Sequence, residues 1–486
     1  MLCTSIKQRN ALLLIGHMMK NDKDPMKSSF AVPRRKILAG GLALGAGLGF
    51  PHIWVPKTAA AAGAGRGSIK HLIYIRLGGG FRFPCAFNAD VASAFNPYGV
   101  ATGVPEGVDW GVSRLLMASS YLEEAGGAAA GMKPVHELAS QISVMPTVDH
   151  EPLAGGADGA HGTGLERYLT GYVGGEAGLF TRLMFGLQDR YAAAIEAREL
   201  LLPAFVMGSA GMARGLGEFA SHRPPILSGA GFERFASAGK GGPDWAEAMV
   251  KETDERMRNR QHPALRGRVD AYMQTRAATK AYSDIFAGEP LKIGNGSDEK
   301  FDGISNAELE TIFGNSREAR NLRLALRLFH YGTPAVYLDQ GGYDYHSGEE
   351  TNLPGAIERL NRMISSLFAV LPRMAHPDGG TYWDHTVVVL GSEFSRTARG
   401  NRFNSAGGSD HNGDNSTRWM SMPFFGGPVE GGRIVGASTG KEDLKADGKV
   451  HSYRSVFNTL MDGLGCDPQS FFPADDLVPD LLRETS

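Results

Sequence analysis

Short apolar runs of strand length, each cut off by glycine or a polar cluster, alternate along this chain with longer segments of helical periodicity. That alternation leaves few folds open. Strand, crossover helix and strand bury their apolar sides together as a parallel sheet with helices on both faces. The first run, residues 69–77, stops at Gly78-Gly79-Gly80. Residues 142–145 and 202–207 read as the second and third strands, and 335–338, 386–390 and 422–425 as later ones. The periodicity predicts helices over 162–169, 190–200, 245–287, 306–331 and 355–374. Residues 288–303, rich in Gly, Asn, Asp and Lys, read as a linker or exposed loop.

Acids and histidines follow the later strands. Gly341-Gly342-Tyr343-Asp344-Tyr345-His346 comes after 335–338, and Gly391-Ser392-Glu393-Phe394-Ser395-Arg396-Thr397 after 386–390. Asp410-His411-Asn412 lies in a glycine-rich stretch beyond them. Carboxylates and imidazoles delivered to one sheet edge are the donors that a hard or borderline metal ion requires. Asp344 and His346, two positions apart, share a face of an extended segment, and Gly341-Gly342 would let backbone approach closely. Glu393 directly follows an apolar strand, where a carboxylate is costly unless paired. Arg396 is its natural partner, so a structural ion pair stands beside ligation for Glu393. His411, flanked by Asp410, fits a ligand backed by an acid, with a flexible surface loop as the alternative. Asp344, His346, Glu393 and His411 are thus the candidate ligands of a divalent ion. Oxygen and imidazole donors admit zinc, manganese, iron, magnesium or calcium. His385, beside Asp384 at the start of a strand, reads as structural.

The front of the chain bears on where such chemistry would occur. Arg34-Arg35 precedes a Gly/Ala/Leu-rich stretch and a small-residue run over 59–64. That order is the pattern of an export signal, and the paired arginines point to the twin-arginine (Tat) route. Residues 1–64 therefore read as an N-terminal region with a Tat signal, and 65–486 as a single domain with loop insertions. The expected location is the periplasm or the extracellular space, with the Tat translocase as a partner during export. Lys and Arg total 50 against 52 Asp and Glu, so no net charge argues for nucleic acid. The glycines and Pro51 of the apolar stretch argue against a stable membrane span. Cys85 and Cys466 could pair in an oxidising compartment.

Taken in order, Leu77-Gly78-Gly79-Gly80, Leu169-Thr170-Gly171, the 341–346 and 392–397 motifs and Asp410-His411 resemble a known family. It is the group of Tat-exported bacterial proteins called domain of unknown function 1501, similar to sulfatases and the alkaline phosphatase superfamily. The run from Tyr453 to Leu460, followed by Gly463-Leu464-Gly465, resembles the closing helix of those enzymes. The resemblance implies an alkaline-phosphatase-like three-layer α/β sandwich with a mostly parallel central sheet and helices on both faces. It also implies hydrolysis of phosphate or sulfate monoesters with one or two metals, or phosphoryl transfer on the same scaffold.

Two positions depart from that pattern. The family's first-strand Asp is matched here by Cys85, whose thiolate suits zinc but not magnesium or calcium. A buried small apolar residue is the other reading of Cys85. The sulfatase nucleophile position, ten residues before Gly171, falls on His161 in Ala160-His161-Gly162-Thr163-Gly164. His161 is then a metal ligand, a nucleophile, or the cap of a glycine-rich turn, and Thr163 is the only nearby hydroxyl that could substitute. His150, before Glu151 and Pro152, reads as part of an exposed loop. The chain so read is an exported metal-dependent hydrolase-like protein acting on sulfate or phosphate esters of small molecules or glycans. The alternative is a degenerate, non-catalytic relative serving as a binding or scaffold protein.

Overall fold

In the computed structural model, the six apolar segments and a seventh, polar strand that the sequence did not mark hydrogen-bond into one sheet. They are β1 (His71–Gly78), β2 (Ile142–Asp149), β3 (Phe205–Met207), β4 (Ala335–Gly341), β5 (Thr386–Gly391), β6 (Trp419–Phe425) and β7 (His451–Ser452). The structure describes residues 66–88, 95–151, 160–196, 201–227, 244–263, 300–301, 303–399, 406–411, 418–436, 449–468 and 471–483, with isolated positions between 266 and 273. Arg34-Arg35, Asn412 and most of 264–299 lie outside the described residues.

The sheet order is β7-β2-β6-β5-β1-β4-β3. β1 runs parallel to β4 and β5, β3 parallel to β4, and β7 parallel to β2. β6 alone is antiparallel, to both β5 and β2. The sheet is therefore mixed rather than wholly parallel. A parallel neighbour needs a crossover connection, usually a helix, and the described residues of the β5–β6 connection contain none. All strands but β6 end at one edge, where parallel sheets place their sites.

Helices cover both faces. Alternate residues of a strand face opposite sides, and β1 shows which helix lies where. Tyr74 packs 5.6 Å from Tyr168 of α1 (His161–Thr170), and 6.4 Å from both Phe180 of α2 (Leu179–Gly186) and Phe457 of the later helix Tyr453–Gly463. His71, of opposite parity, stacks at 4.4 Å on Phe329 of α3 (Arg317–His330). On that same side Phe425 stacks at 5.1 Å on Phe368 of α4 (Glu349–Val370). Tyr453–Gly463 is α5, the closing helix that the sequence suggested. The expected helix over 306–331 is two, Asn306–Phe313 and α3, broken at Gly314 with φ 81°. Each half has its own serine cap, Ser305 and Ser316. Every residue from Val387 to Leu390 is fully buried, as a central strand covered on both faces requires.

Cys85 and Cys466, whose pairing the sequence left open, are both buried and both free. Burial pushes each thiol up to about 12. Among the described residues no helix is long and apolar enough to cross a membrane.

His71 makes the fold acid-sensitive. Its Nδ1 lies 2.8 Å from the Thr333 carbonyl and its Nε2 3.1 Å from His376 Nε2. Burial, with the nearby His376, Arg190 and His385 acting the same way, lowers its pKa to about 3 despite the bond to Thr333. Below the unfolded value of 6.5 the unfolded chain takes up a proton that the native state refuses. Stability is therefore present above pH 6.5 and lost as pH falls towards 3, by up to about 1.4 kcal/mol per pH unit. Urea titrations across this window should show that slope, and His71→Gln should flatten it by about one proton. Equal slopes in the two proteins would refute the assignment.

Candidate metal centre

The carboxyl ends of β1, β2, β4 and β5 deliver one constellation. β2 leads on to α1, whose first residue is His161. Asp344 and His346 follow β4, Glu393 follows β5, and Asp410-His411 come from the later glycine-rich stretch. Two glycines explain how these segments approach. A Cβ on Gly79, held at φ 115°, would lie 2.6 Å from the backbone nitrogen of Asp344. A Cβ on Gly408 would lie 2.2 Å from the carbonyl oxygen of His346. Close approach was expected instead at Gly341-Gly342, where nothing lies within 4 Å.

Ligand atoms converge in two overlapping trios that share His411. His161, Asp344 and His411 form one, and His346, Asp410 and His411 the other, with atoms in each within 4.8 Å of one another. His411 Nε2 is 3.2 Å from His346 Nε2, and His346 Nε2 is 3.3 Å from Asp344 Oδ1. His161 Nε2 lies 3.5 Å from Asp344 Oδ2, and His346 Nδ1 3.8 Å from Asp410 Oδ1. Donors around a tetrahedral zinc at its usual bond lengths sit about 3.3 Å apart. The spacing and the imidazole and carboxylate chemistry fit such an ion. The side chains of His161, Asp344, His346 and Asp410 are 45–50% exposed, so the centre opens to solvent.

Two buried side chains stand behind the donors. Glu393, only 4% exposed, has Oε1 3.6 Å from His161 Nδ1, an ion-pair distance rather than a full hydrogen bond. That same oxygen accepts the backbone N–H of Gly79 at 2.8 Å. Burial works to raise the Glu393 carboxyl. The contact with His161, the charge of Arg76 and the backbone N–H outweigh it and hold the group below its ordinary range. Glu393 is thus an ionised group behind His161, outside both trios. Its cation is Arg76 at 3.1 Å and not the expected Arg396. Arg396 instead binds Asp344 and donates to the carbonyls of Gly79 and Ser409. Burial, then the cation of Arg396 and the neighbouring histidines, lowers the pKa of His411, which keeps its imidazole in the neutral form that ligates.

Cys85 is in neither trio. It is fully buried with its thiol protonated, so the structure favours its reading as a small apolar residue over a ligand. Thr163 donates its hydroxyl to the Ala160 carbonyl at 3.3 Å, which ties it to the first turn of α1. His150 is fully buried rather than on an exposed loop, with Nδ1 3.3 Å from Arg167 Nη1. His385 bonds the Gly379 carbonyl at 2.8 Å and stands at the opposite sheet edge, as a structural residue would. Sequence reasoning missed three participants. Asp410 read only as an acid behind His411, Arg76 as an ordinary strand residue, and Asp339 fell just past the strand read over 335–338. The available signal was a charge inside an apolar strand, which must find a partner.

No protein of curated function matches this sequence significantly. Among solved structures, the chain is similar to the C-terminal periplasmic domain of EcEptC from Escherichia coli in complex with Zn. The TM-score is 0.33 and the identity 8%, over 90% of this chain and 91% of that one. Residues 236–477, which contain Asp344, His346, Glu393, Asp410 and His411 but not His161, match the family described as "Protein of unknown function (DUF1501)".

Proposed function

We propose that this chain is an exported, metal-dependent hydrolase-like protein of the alkaline-phosphatase type, acting on phosphate or sulfate esters. In this reading residues 1–64 carry the Tat signal and 65–486 form the catalytic domain in the periplasm. The supporting observation is the pair of overlapping trios, His161–Asp344–His411 and His346–Asp410–His411, whose ligand atoms lie within 4.8 Å of one another and so suit a divalent ion. A bound ion would supply Lewis-acid polarisation of the ester oxygens and a more acidic water.

The chain's own residues supply the rest. His161 directs Nε2 towards Asp344 and Nδ1 towards Glu393, an arrangement that suits a ligand better than a nucleophile. Arg396 holds Asp344 from the buried side, leaving its second oxygen for the ion. The start of α1 has no side-chain cap, so its positive end is left to favour an anionic ester. The half-exposed donors leave an open approach for the substrate.

Elemental analysis of the purified protein, paired with turnover of aryl phosphates and aryl sulfates, tests this. At least one ion per chain is expected, with turnover abolished by chelator and restored by zinc or manganese. Metal content unchanged in His346→Ala would sink the metal reading. Stoichiometric metal without turnover would favour the binding or scaffold alternative.

A further inference from the structure

Arg76 is the sole Lys, Arg, Asp or Glu of β1, and its side chain is only 13% exposed. It points to the carboxyl edge from the middle strand of the parallel group, between Asp339 of β4 and Glu393 after β5. We propose that Arg76, braced by Asp339, is a positioning residue. It fixes the Glu393 carboxylate so that Oε1 meets Nδ1 of His161, and Nε2, on the side of Asp344, is left unprotonated for the ion. This inference rests on the metal-centre reading above and adds the residues that choose which nitrogen of His161 ligates.

The contacts run in one direction, from an anchor to the centre. Asp339 Oδ2 accepts the Ser209 backbone N–H and hydroxyl, each at 2.7 Å. Its Oδ1 accepts Arg76 Nε at 2.9 Å and the Tyr337 hydroxyl at 2.5 Å. A carboxylate with four donors is fixed and has no lone pair to spare for a metal. Arg76 then places Nη1 3.1 Å from Glu393 Oε2, while Nη2 donates to Ser209 Oγ at 3.3 Å. A planar fork held at both ends fixes the carboxylate in a way that a lysine's single ammonium does not. With Oε2 held by Arg76 and 3.1 Å from the Ser392 hydroxyl, and Oε1 held by Gly79, Glu393 has its remaining acceptor capacity directed at Nδ1 of His161. Nε2 also faces a carboxylate, Asp344 Oδ2 at 3.5 Å. Asp344 is half exposed to solvent whereas Glu393 is buried and fixed, so the Glu393 side is the one that holds the ring proton.

A mere tie between strand ends would have the same contacts but no effect on the His161 ring. Long-range proton–nitrogen correlation NMR on metal-free protein separates the two roles, with the His161 signals assigned by their loss in His161→Gln. Wild type is expected to carry the proton on Nδ1. In Arg76→Gln the ring should become a mixture of tautomers, and zinc affinity by chelator competition should fall about tenfold to 100-fold. Arg76→Lys should fall between. If Arg76→Gln does not fold, Arg76→Lys and Asp339→Asn carry the same comparison. A wild-type ring protonated on Nε2, or folded variants with an unchanged tautomer, would overturn the proposal. Because the tautomer is read without metal, the two readings fail separately. A wild type that binds no zinc yet loses its Nδ1 proton preference in Arg76→Gln would refute the metal centre and support the positioning role.

Discussion

Replacing His411 by alanine is expected to empty the metal centre. His411 is the one residue that belongs to both trios of ligand atoms, so its loss leaves neither complete. Removing an outer partner of a metal ligand typically lowers affinity tenfold to 100-fold, and removing a ligand itself should exceed about 100-fold. The fold should tolerate the change. His411 is partly exposed on a loop, and its backbone N–H to the Asp410 carboxylate at 2.8 Å survives the substitution. Metal-free wild type and variant should therefore unfold at nearly the same urea concentration. Added zinc should stabilise wild type alone, by about 2.7 kcal/mol at a hundredfold excess over its dissociation constant. His385→Ala, at the opposite edge of the sheet, serves as control and should respond to zinc as wild type does. Equal zinc stabilisation in His411→Ala and wild type would remove the metal centre from this loop.

The sequence showed the scaffold better than it showed the wiring. Continuous apolar runs such as Val387 to Leu390 have one economical use, a strand covered on both faces, and their order implied the sheet. Asp344 and His346 were read as a pair from two-residue spacing, which is purely local geometry; their side chains do meet at 3.3 Å, but they fall in different trios. The ion pairs were not legible. Glu393 had Arg396 three residues away in sequence, yet the sheet register sets Arg76 beside it, from a strand more than 300 residues earlier. Asp339 and Arg76 are register partners on neighbouring strands, a relation that no single strand reveals. His150 misled for a related reason. Its neighbours Pro152 and Gly155-Gly156 signalled a loop, while β2 continues to Asp149 and draws His150 into the interior. The direction of β6 was hidden too, because a short apolar run carries no mark of its orientation.

Breaking the Arg82–Glu349 pair is expected to have the largest effect on stability. Arg82 follows the glycine turn after β1, and Glu349 is the first residue of α4, three positions beyond His346. Their side chains are 1% exposed and 3.3 Å apart. Burial pushes the Glu349 carboxyl up to about 7, against the pull of Arg82 and of the nearby Ser409 hydroxyl. The pair sits where the two ligand-bearing loops join, since Ser409 donates to the Tyr345 carbonyl at 2.9 Å and Glu350 to that of Ala406 at 2.8 Å. Glu349→Ala would leave the Arg82 guanidinium buried without its carboxylate, which typically costs about 3–5 kcal/mol. Replacing both partners, Arg82→Met with Glu349→Leu, removes the charges together and should recover most of that loss, because a buried pair contributes little net stability over apolar residues of similar volume. Urea unfolding of the two single variants and the double variant forms the thermodynamic cycle. Each single loss should exceed the double, and zinc affinity should fall in Glu349→Ala although no ligand has been touched. Single variants within about 1 kcal/mol of wild type would show instead that water or neighbouring groups satisfy both charges, and that the ligand loops are held by their backbone bonds alone.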